Sequence, residues 1–182
     1  NRHHVVFNVG QDNPQAMEAA LAGMSKAGAN TIRLWAWGDC ADGTGVTGPP
    51  TGEGVLPAYM DNFVDFLARC RNHHIRVVAI LDECPLNRVY SAIAQREAQT
   101  NPCPGVGGYN AQYLSGPSIA AKAALIRDFI GGVKRRDPNL LPSVLAWSLC
   151  NEAFVLDNCE PFNRKEGTVT TANGQRYDMA ER

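Results

Sequence analysis

Long hydrophobic runs, an excess of either charge, and closely paired cysteines are all missing from this sequence, and each absence removes a class of function. No apolar stretch approaches the roughly 18–20 residues a helix needs to cross a bilayer. The N-terminus carries none of the basic-then-apolar pattern of a secretory signal. The expectation is a soluble chain with no membrane contact, its targeting segment already gone if it is secreted. Lys and Arg number 17 against 18 Asp and Glu, a formal net charge of −1 at pH 7. The basic residues are scattered rather than striped, so there is no electrostatic footprint for nucleic acid. No Cys-x-x-Cys spacing occurs, which removes the common zinc and redox motifs. No Gly-x-Ser-x-Gly elbow occurs either, which removes the usual serine hydrolase signature. There is no Asn-x-Ser/Thr acceptor, so glycosylation gives no indication of compartment.

What is present suits one folded domain. The 182 residues are 45% hydrophobic and 19% charged, enough apolar content to bury a core and too much for disorder. We read residues 1–182 as a single domain with no second unit. The six cysteines are Cys40, Cys70, Cys84, Cys103, Cys150 and Cys159. Cys70 and Cys150 fall on helix and strand patterns and read as buried thiols. The other four fall in loops, where pairing outside the cell is open to them. The expectation is a secreted or extracellular protein, with a reduced cytoplasmic one as the alternative.

Hydrophobic periodicity gives an alternating order of elements. Residues 4–9, His-Val-Val-Phe-Asn-Val, read as a short strand. Asn13 then caps a helix with Pro14 in its first turn, and Met17, Ala20, Leu21 and Met24 recur at helical spacing until Gly28. Residues 30–37, Asn-Thr-Ile-Arg-Leu-Trp-Ala-Trp, form a second strand. Met60, Phe63, Val64 and Leu67 mark a helix, and residues 75–81 a third, apolar strand. A long insertion over 82–116 carries a short helix near 89–98. Ile126, Phe129, Ile130 and Val133 mark another helix before a fourth strand over 143–151. The order β-α-β-α-β-α-β predicts parallel strands joined by right-handed crossovers, an α/β fold.

In such folds chemistry gathers at the carboxyl ends of the strands. Those ends carry Trp35, Trp37 and Asp39, then Asp82 and Glu83, then Asn151 and Glu152. The short connections at the other pole, residues 27–30 and 72–75, read as structural. Arg33 is an odd residue for the middle of a buried strand, where an unpaired charge is costly, so it is expected to have an anionic partner, which a structural salt bridge would also supply. Trp35 and Trp37 are two apart and share a face with Arg33. They read as flat platforms for a sugar ring, with core packing the ordinary alternative. Asp39, Asp82 and Glu83 are candidates for binding hydroxyls, or simply solvated loop carboxylates. Glu152 ends an apolar run, and its alternative is a solvated strand end. Residues 43–48 match Gly-x-Gly-x-x-Gly by letter, but Pro49 and Pro50 stand where a helix should begin, so they do not read as a phosphate loop. The pairs His3-His4 and His73-His74 sit at strand starts and read as surface residues, not metal ligands.

Three segments together resemble a known family. Asn30-Thr-Ile-Arg33-Leu-Trp, the basic turn before Ile75-Arg-Val-Val-Ala-Ile-Leu, and Asp137-Pro followed by Val144-Leu-Ala-Trp-Ser-Leu-Cys-Asn151-Glu152 are similar to the second to fourth strands of clan A glycoside hydrolases, family 5 in particular. The resemblance covers nearly the whole chain in order and spacing. It implies a (β/α)₈ TIM barrel of which this chain shows about the first four βα units. It also implies a retaining hydrolase of β-linked glycans, cellulase-like or mannanase-like, that needs no cofactor and no metal. By position it gives Glu152 the acid/base role, Asn151 a contact to the sugar 2-hydroxyl, and Arg33 support of a nucleophile.

The chemistry of a retaining glycosidase fits those residues and shows what is missing. One carboxylic acid protonates the leaving oxygen while a second carboxylate, about 5–5.5 Å away, attacks the anomeric carbon. Partial burial at the end of an apolar strand would hold a proton on Glu152. The seventh-strand nucleophile Glu of the family has no counterpart in this sequence, and Asp82-Glu83-Cys84 stands where the family often has a His. A full barrel typically takes roughly 250 residues. The expectation is therefore an N-terminal part of a barrel, inactive by itself. It would be completed by the rest of a longer enzyme, by self-association or by a second chain. The alternative of a different class is a non-catalytic carbohydrate-binding or half-barrel structural protein.

Overall fold

The computed structural model describes residues 6–36, 45–47, 52–81, 88–93, 116–149, 166–170 and 176–178. Helix α1 (Pro14–Lys26) opens as its sequence anticipates: the Asn13 side-chain oxygen accepts the Ala16 N–H at 2.9 Å, and Pro14 needs no partner there. The helix closes with the Gly28 N–H on the Ser25 carbonyl at 2.9 Å and the Ala29 N–H on the Met24 carbonyl at 3.0 Å. That paired pattern is the Schellman motif, and Gly28 supplies its left-handed residue at φ 85°. Helix α2 (Pro57–Asn72) ends the same way, His74 bonding Arg71 at 3.1 Å and Ile75 bonding Cys70 at 2.8 Å. Here the left-handed residue is His74, at φ 57°. Both turns feed strands directly, which is why these connections are short.

Strands β1 (Thr31–Trp35), β2 (Arg76–Ile80) and β3 (Val144–Ser148) form a parallel sheet in sequence order. Thr31 pairs with Arg76 and Trp35 with Ile80, while Val77 pairs with Val144 and Ile80 with Ser148. The register slips between Val77 and Val78, whose partners are Val144 and Ala146, so Leu145 is the extra residue of a bulge. One face of the sheet is the core. Val77, Ala79 and Val144 are buried there, with Ile32, Leu34 and Trp147 packed beside them. Helix α2 covers that face through Tyr59, Met60, Phe63, Phe66, Leu67 and Cys70, a stripe at helical spacing. Helix α4 (Gly116–Arg136) adds Leu125, Phe129 and Val133. A short helix α3 (Arg88–Ile93) lies against α4, and a 3₁₀ turn (Pro138–Ser143) leads into β3.

Three expectations need correction. Residues 6–9 of the first anticipated strand are turns, not strand, so the described residues show three parallel strands and no closed barrel. The cause is Phe7, wholly buried against Tyr59, Phe63 and Phe66 at centroid distances of 6.0, 5.2 and 5.1 Å. Its carbonyl accepts the Asn62 amide at 3.0 Å, and Gly10 at φ 74° turns the chain towards α1. The sequence reading also passed over an antiparallel hairpin, β4 (Thr168–Thr170) with β5 (Arg176–Asp178). Arg33, expected to be buried, is exposed. The helix expected over 89–98 includes Arg88, one residue earlier; it is described over Arg88–Ile93, and residues 94–98 lie outside the described residues.

An ion-pair cluster ties α1 to the end of α2. Glu18 accepts from His73 Nε2 at 2.6 Å and from Arg69 Nη1 at 2.9 Å, and Arg69 Nε also bonds Asp65 at 2.7 Å. The hydrogen bond from His73, then that from Arg69, holds the Glu18 carboxyl below its ordinary 4.5. A carboxylate depressed in the folded state stabilises it above the unfolded pKa and loses that effect as pH falls through the folded value. Glu18→Gln is therefore expected to lower the urea midpoint at neutral pH. The gap from wild type should close as pH drops below 4.5, and a gap that persists in acid would contradict this linkage. At the neighbouring turn, His74→Gly removes a left-handed L-residue. Relief of that strain, offset by unfolded-chain entropy, is expected to stabilise by about 0.5–1 kcal/mol in urea melts.

Candidate functional site

The carboxyl ends of the three strands stand level. Trp35, Ile80 and Ser148 are register partners across the sheet. Pairing continues one residue further, with the Ala36 N–H on the Ile80 carbonyl at 3.0 Å and the Leu81 N–H on the Ser148 carbonyl at 2.7 Å. Ala36 and Leu81 are both buried, so this edge is firm up to the residue where each chain leaves it. Trp37 and Asp39, Asp82 and Glu83, and Asn151 and Glu152 each follow within four residues in sequence. All six lie outside the described residues. The sheet brings the three places from which they depart to one edge.

Two of the anticipated residues are described, and they are neighbours. In a strand alternate residues share a face, and the core takes Ile32 and Leu34, so Arg33 and Trp35 stand on the opposite side. The Arg33 guanidinium carbon lies 5.7 Å from the Trp35 ring centroid, within cation–π range. Their cross-strand partners are Val78 and Ala146 for Arg33, and Ile80 and Ser148 for Trp35. Arg33 and Ala146 are exposed, Val78, Trp35 and Ser148 are half-buried, and Ile80 beside Trp35 is wholly buried. Arg33 was expected to be buried because a central strand of a parallel sheet is covered on both faces. Among the described residues β1 is an edge strand of its sheet, and Arg33 is exposed on it.

Helices support this edge from outside. The buried Tyr59, in the first turn of α2, donates its hydroxyl to the Ala36 carbonyl at 3.1 Å. The Leu56 N–H reaches the Val46 carbonyl at 2.6 Å, tying the segment after β1 to the start of α2. On α3, the buried Tyr90 donates to Asp128 of α4 at 2.8 Å, and the Arg88 N–H bonds the Gly52 carbonyl at 3.1 Å. Arg88 and Glu53 form an ion pair at the same place. The strand pattern did not single out these two tyrosines. Tyr59 was detectable as an aromatic two residues after Pro57, inside the first turn of a helix whose apolar stripe begins there.

The remaining chemistry of the described residues is plain. Burial pushes the Cys70 thiol up to about 12, as befits a packing residue rather than a nucleophile. His73 is engaged with Glu18, and no group of three or more His, Cys, Asp or Glu among the described residues could hold a metal. A cavity of about 520 Å³ lies between α1 and β1, lined by Met17, Ala20, Met24, Ile32 and Leu34 among others. It is apolar and sits on the core side of β1 beside α1, away from the carboxyl edge.

No family model matches this sequence, and no curated protein matches it. Among solved structures, the fold is similar to the crystal structure of a glycoside hydrolase family 5 mannosidase from Rhizomucor miehei. The TM-score is 0.54 at 19% identity, over 83% of this chain and 42% of that one. This chain thus spans less than half the length of that enzyme. Likeness at this identity concerns the fold alone.

Proposed function

We propose that this chain carries the acid/base half of a retaining glycoside hydrolase acting on β-linked glycans, with mannans and cellulose-type glucans as the first candidates. The level carboxyl edge at Trp35, Ile80 and Ser148 carries the reading, because three chains leaving one edge can surround a single sugar. The similarity to a family 5 mannosidase supports it. Glu152 is the acid that protonates the leaving oxygen, and Asn151 beside it orients the 2-hydroxyl. Trp35 and Trp37 offer aromatic faces to pyranose rings, and Asp39, Asp82 and Glu83 offer carboxylates to hydroxyls. Arg33, exposed beside Trp35, is assigned the support of a second carboxylate. That carboxylate, the nucleophile, comes from outside residues 1–182, on whatever completes the sheet: the remainder of a longer chain, a second copy or another polypeptide. A polymeric substrate and four loop cysteines fit a protein that works outside the cell.

A second reading has its own observation. Arg33 and Trp35 set a cation and an indole side by side, chemistry that a carbohydrate-binding protein without turnover would also use. One variant separates the two. In the full-length protein, Glu152→Gln is expected to cut hydrolysis of mannan or cellulose oligosaccharides by about 10²–10⁴-fold while binding persists. Unchanged turnover would remove Glu152 from the acid/base role, and wild-type binding with no turnover at all would favour the second reading.

A further inference from the structure

Ala36, the residue after β1, is held from two sides. Its N–H is spent on the Ile80 carbonyl at 3.0 Å, and its carbonyl, which belongs to the next peptide unit, receives the Tyr59 hydroxyl at 3.1 Å. Ala36 is wholly buried, so no water competes for either group. The first bond is ordinary sheet pairing and sets the height of the strand end. The second comes from α2, the helix that covers the core face, and fixes the Ala36 carbonyl. Trp35 precedes Ala36, and Trp37 follows it in the sequence.

The Tyr59 ring does not need its hydroxyl for packing. It meets Phe7 edge-on at 6.0 Å and is 1% exposed in the aromatic cluster, where phenylalanine would fill the same volume. A buried phenol has to find an acceptor, and Tyr59 donates to the carbonyl at the exit of the strand that bears Trp35. Pro57, two residues earlier, fixes the first turn of α2 from which Tyr59 reaches.

We propose that Tyr59 is a positioning residue of the carbohydrate face, acting through the Ala36 carbonyl to fix the end of β1 and the presentation of Trp35. This rests on the reading of that edge as a sugar-binding face. It assigns no contact between Tyr59 and substrate. The hydroxyl acts one residue removed, so its loss should weaken binding and leave intrinsic chemistry alone.

The test labels the protein with 5-fluorotryptophan, which gives three ¹⁹F resonances for the three tryptophans, assigned by single Trp→Phe changes. Tyr59→Phe is expected to shift or broaden the Trp35 signal and leave that of Trp147, on β3, in place. Val64→Ala, on the same helix but away from Ala36, is the control for general loosening and should leave Trp35 unmoved. Mannohexaose and cellohexaose titrations should show at least a fivefold weaker dissociation constant for Tyr59→Phe whichever sugar binds, with KM raised in any turnover assay and kcat held. An unmoved Trp35 resonance, or equal movement in Val64→Ala, overturns the positioning role. Wild-type protein that binds neither sugar overturns the carbohydrate reading instead, and the fluorine spectra still report the Tyr59 contact on their own.

Discussion

Phe63 is the side chain on which the described structure depends. Its ring lies 5.2 Å from Phe7, 5.1 Å from Phe129 and 6.3 Å from Trp147, so one residue of α2 joins the N-terminal turn, α4 and β3. Aromatic pairs of this kind contribute about 0.5–1.5 kcal/mol each beyond the area they bury. Their directional effect is larger than their energy. They seat α2 across the sheet, and α2 in turn carries Tyr59 to the end of β1 and Cys70 to the turn that starts β2. The two poles of the sheet therefore report to one helix.

Elements that obey a local rule were legible in the sequence. Asn13-Pro14 and Gly28 bracket α1, and the apolar runs at 31–35, 76–80 and 144–148 became parallel strands in the order their alternation with helices implied. Where a long-range contact decides, the local pattern failed. Residues 4–9 have strand composition, yet the pull of Phe7 into the Phe63 cluster and the turn at Gly10 outweigh it. Arg33 was read as buried because β1 was taken to be covered on both faces, whereas its side chain is exposed at an edge of the described sheet. The hairpin β4–β5 had a signal, Asn173-Gly174 between two short β-prone segments, that is typical of hairpin turns.

The candidate site was legible as a place more than as a set of contacts. Strand order alone located the carboxyl edge, and the register places its three exits level. What the sequence could not show was how that edge is held. The hydroxyl of Tyr59 comes from a helix whose apolar stripe looks like ordinary core, and only the fold reveals that its polar tip serves the edge. The opposite pole, with its two Schellman turns and the Glu18, Arg69 and His73 cluster, is built for stability. Division of labour between the poles is what the (β/α) architecture predicts.

The central claim is that carbohydrate meets this protein at the carboxyl edge of the three-stranded sheet. Amide chemical-shift mapping of the ¹⁵N-labelled protein with mannohexaose tests it most directly. The account predicts perturbations concentrated at Trp35, Ala36, Leu81 and Leu149, with Gly28, Ala29, His74 and Ile75 at the opposite pole unmoved. Perturbations centred on that opposite pole, or along Met17, Ala20 and Met24 beside the apolar cavity, would contradict it.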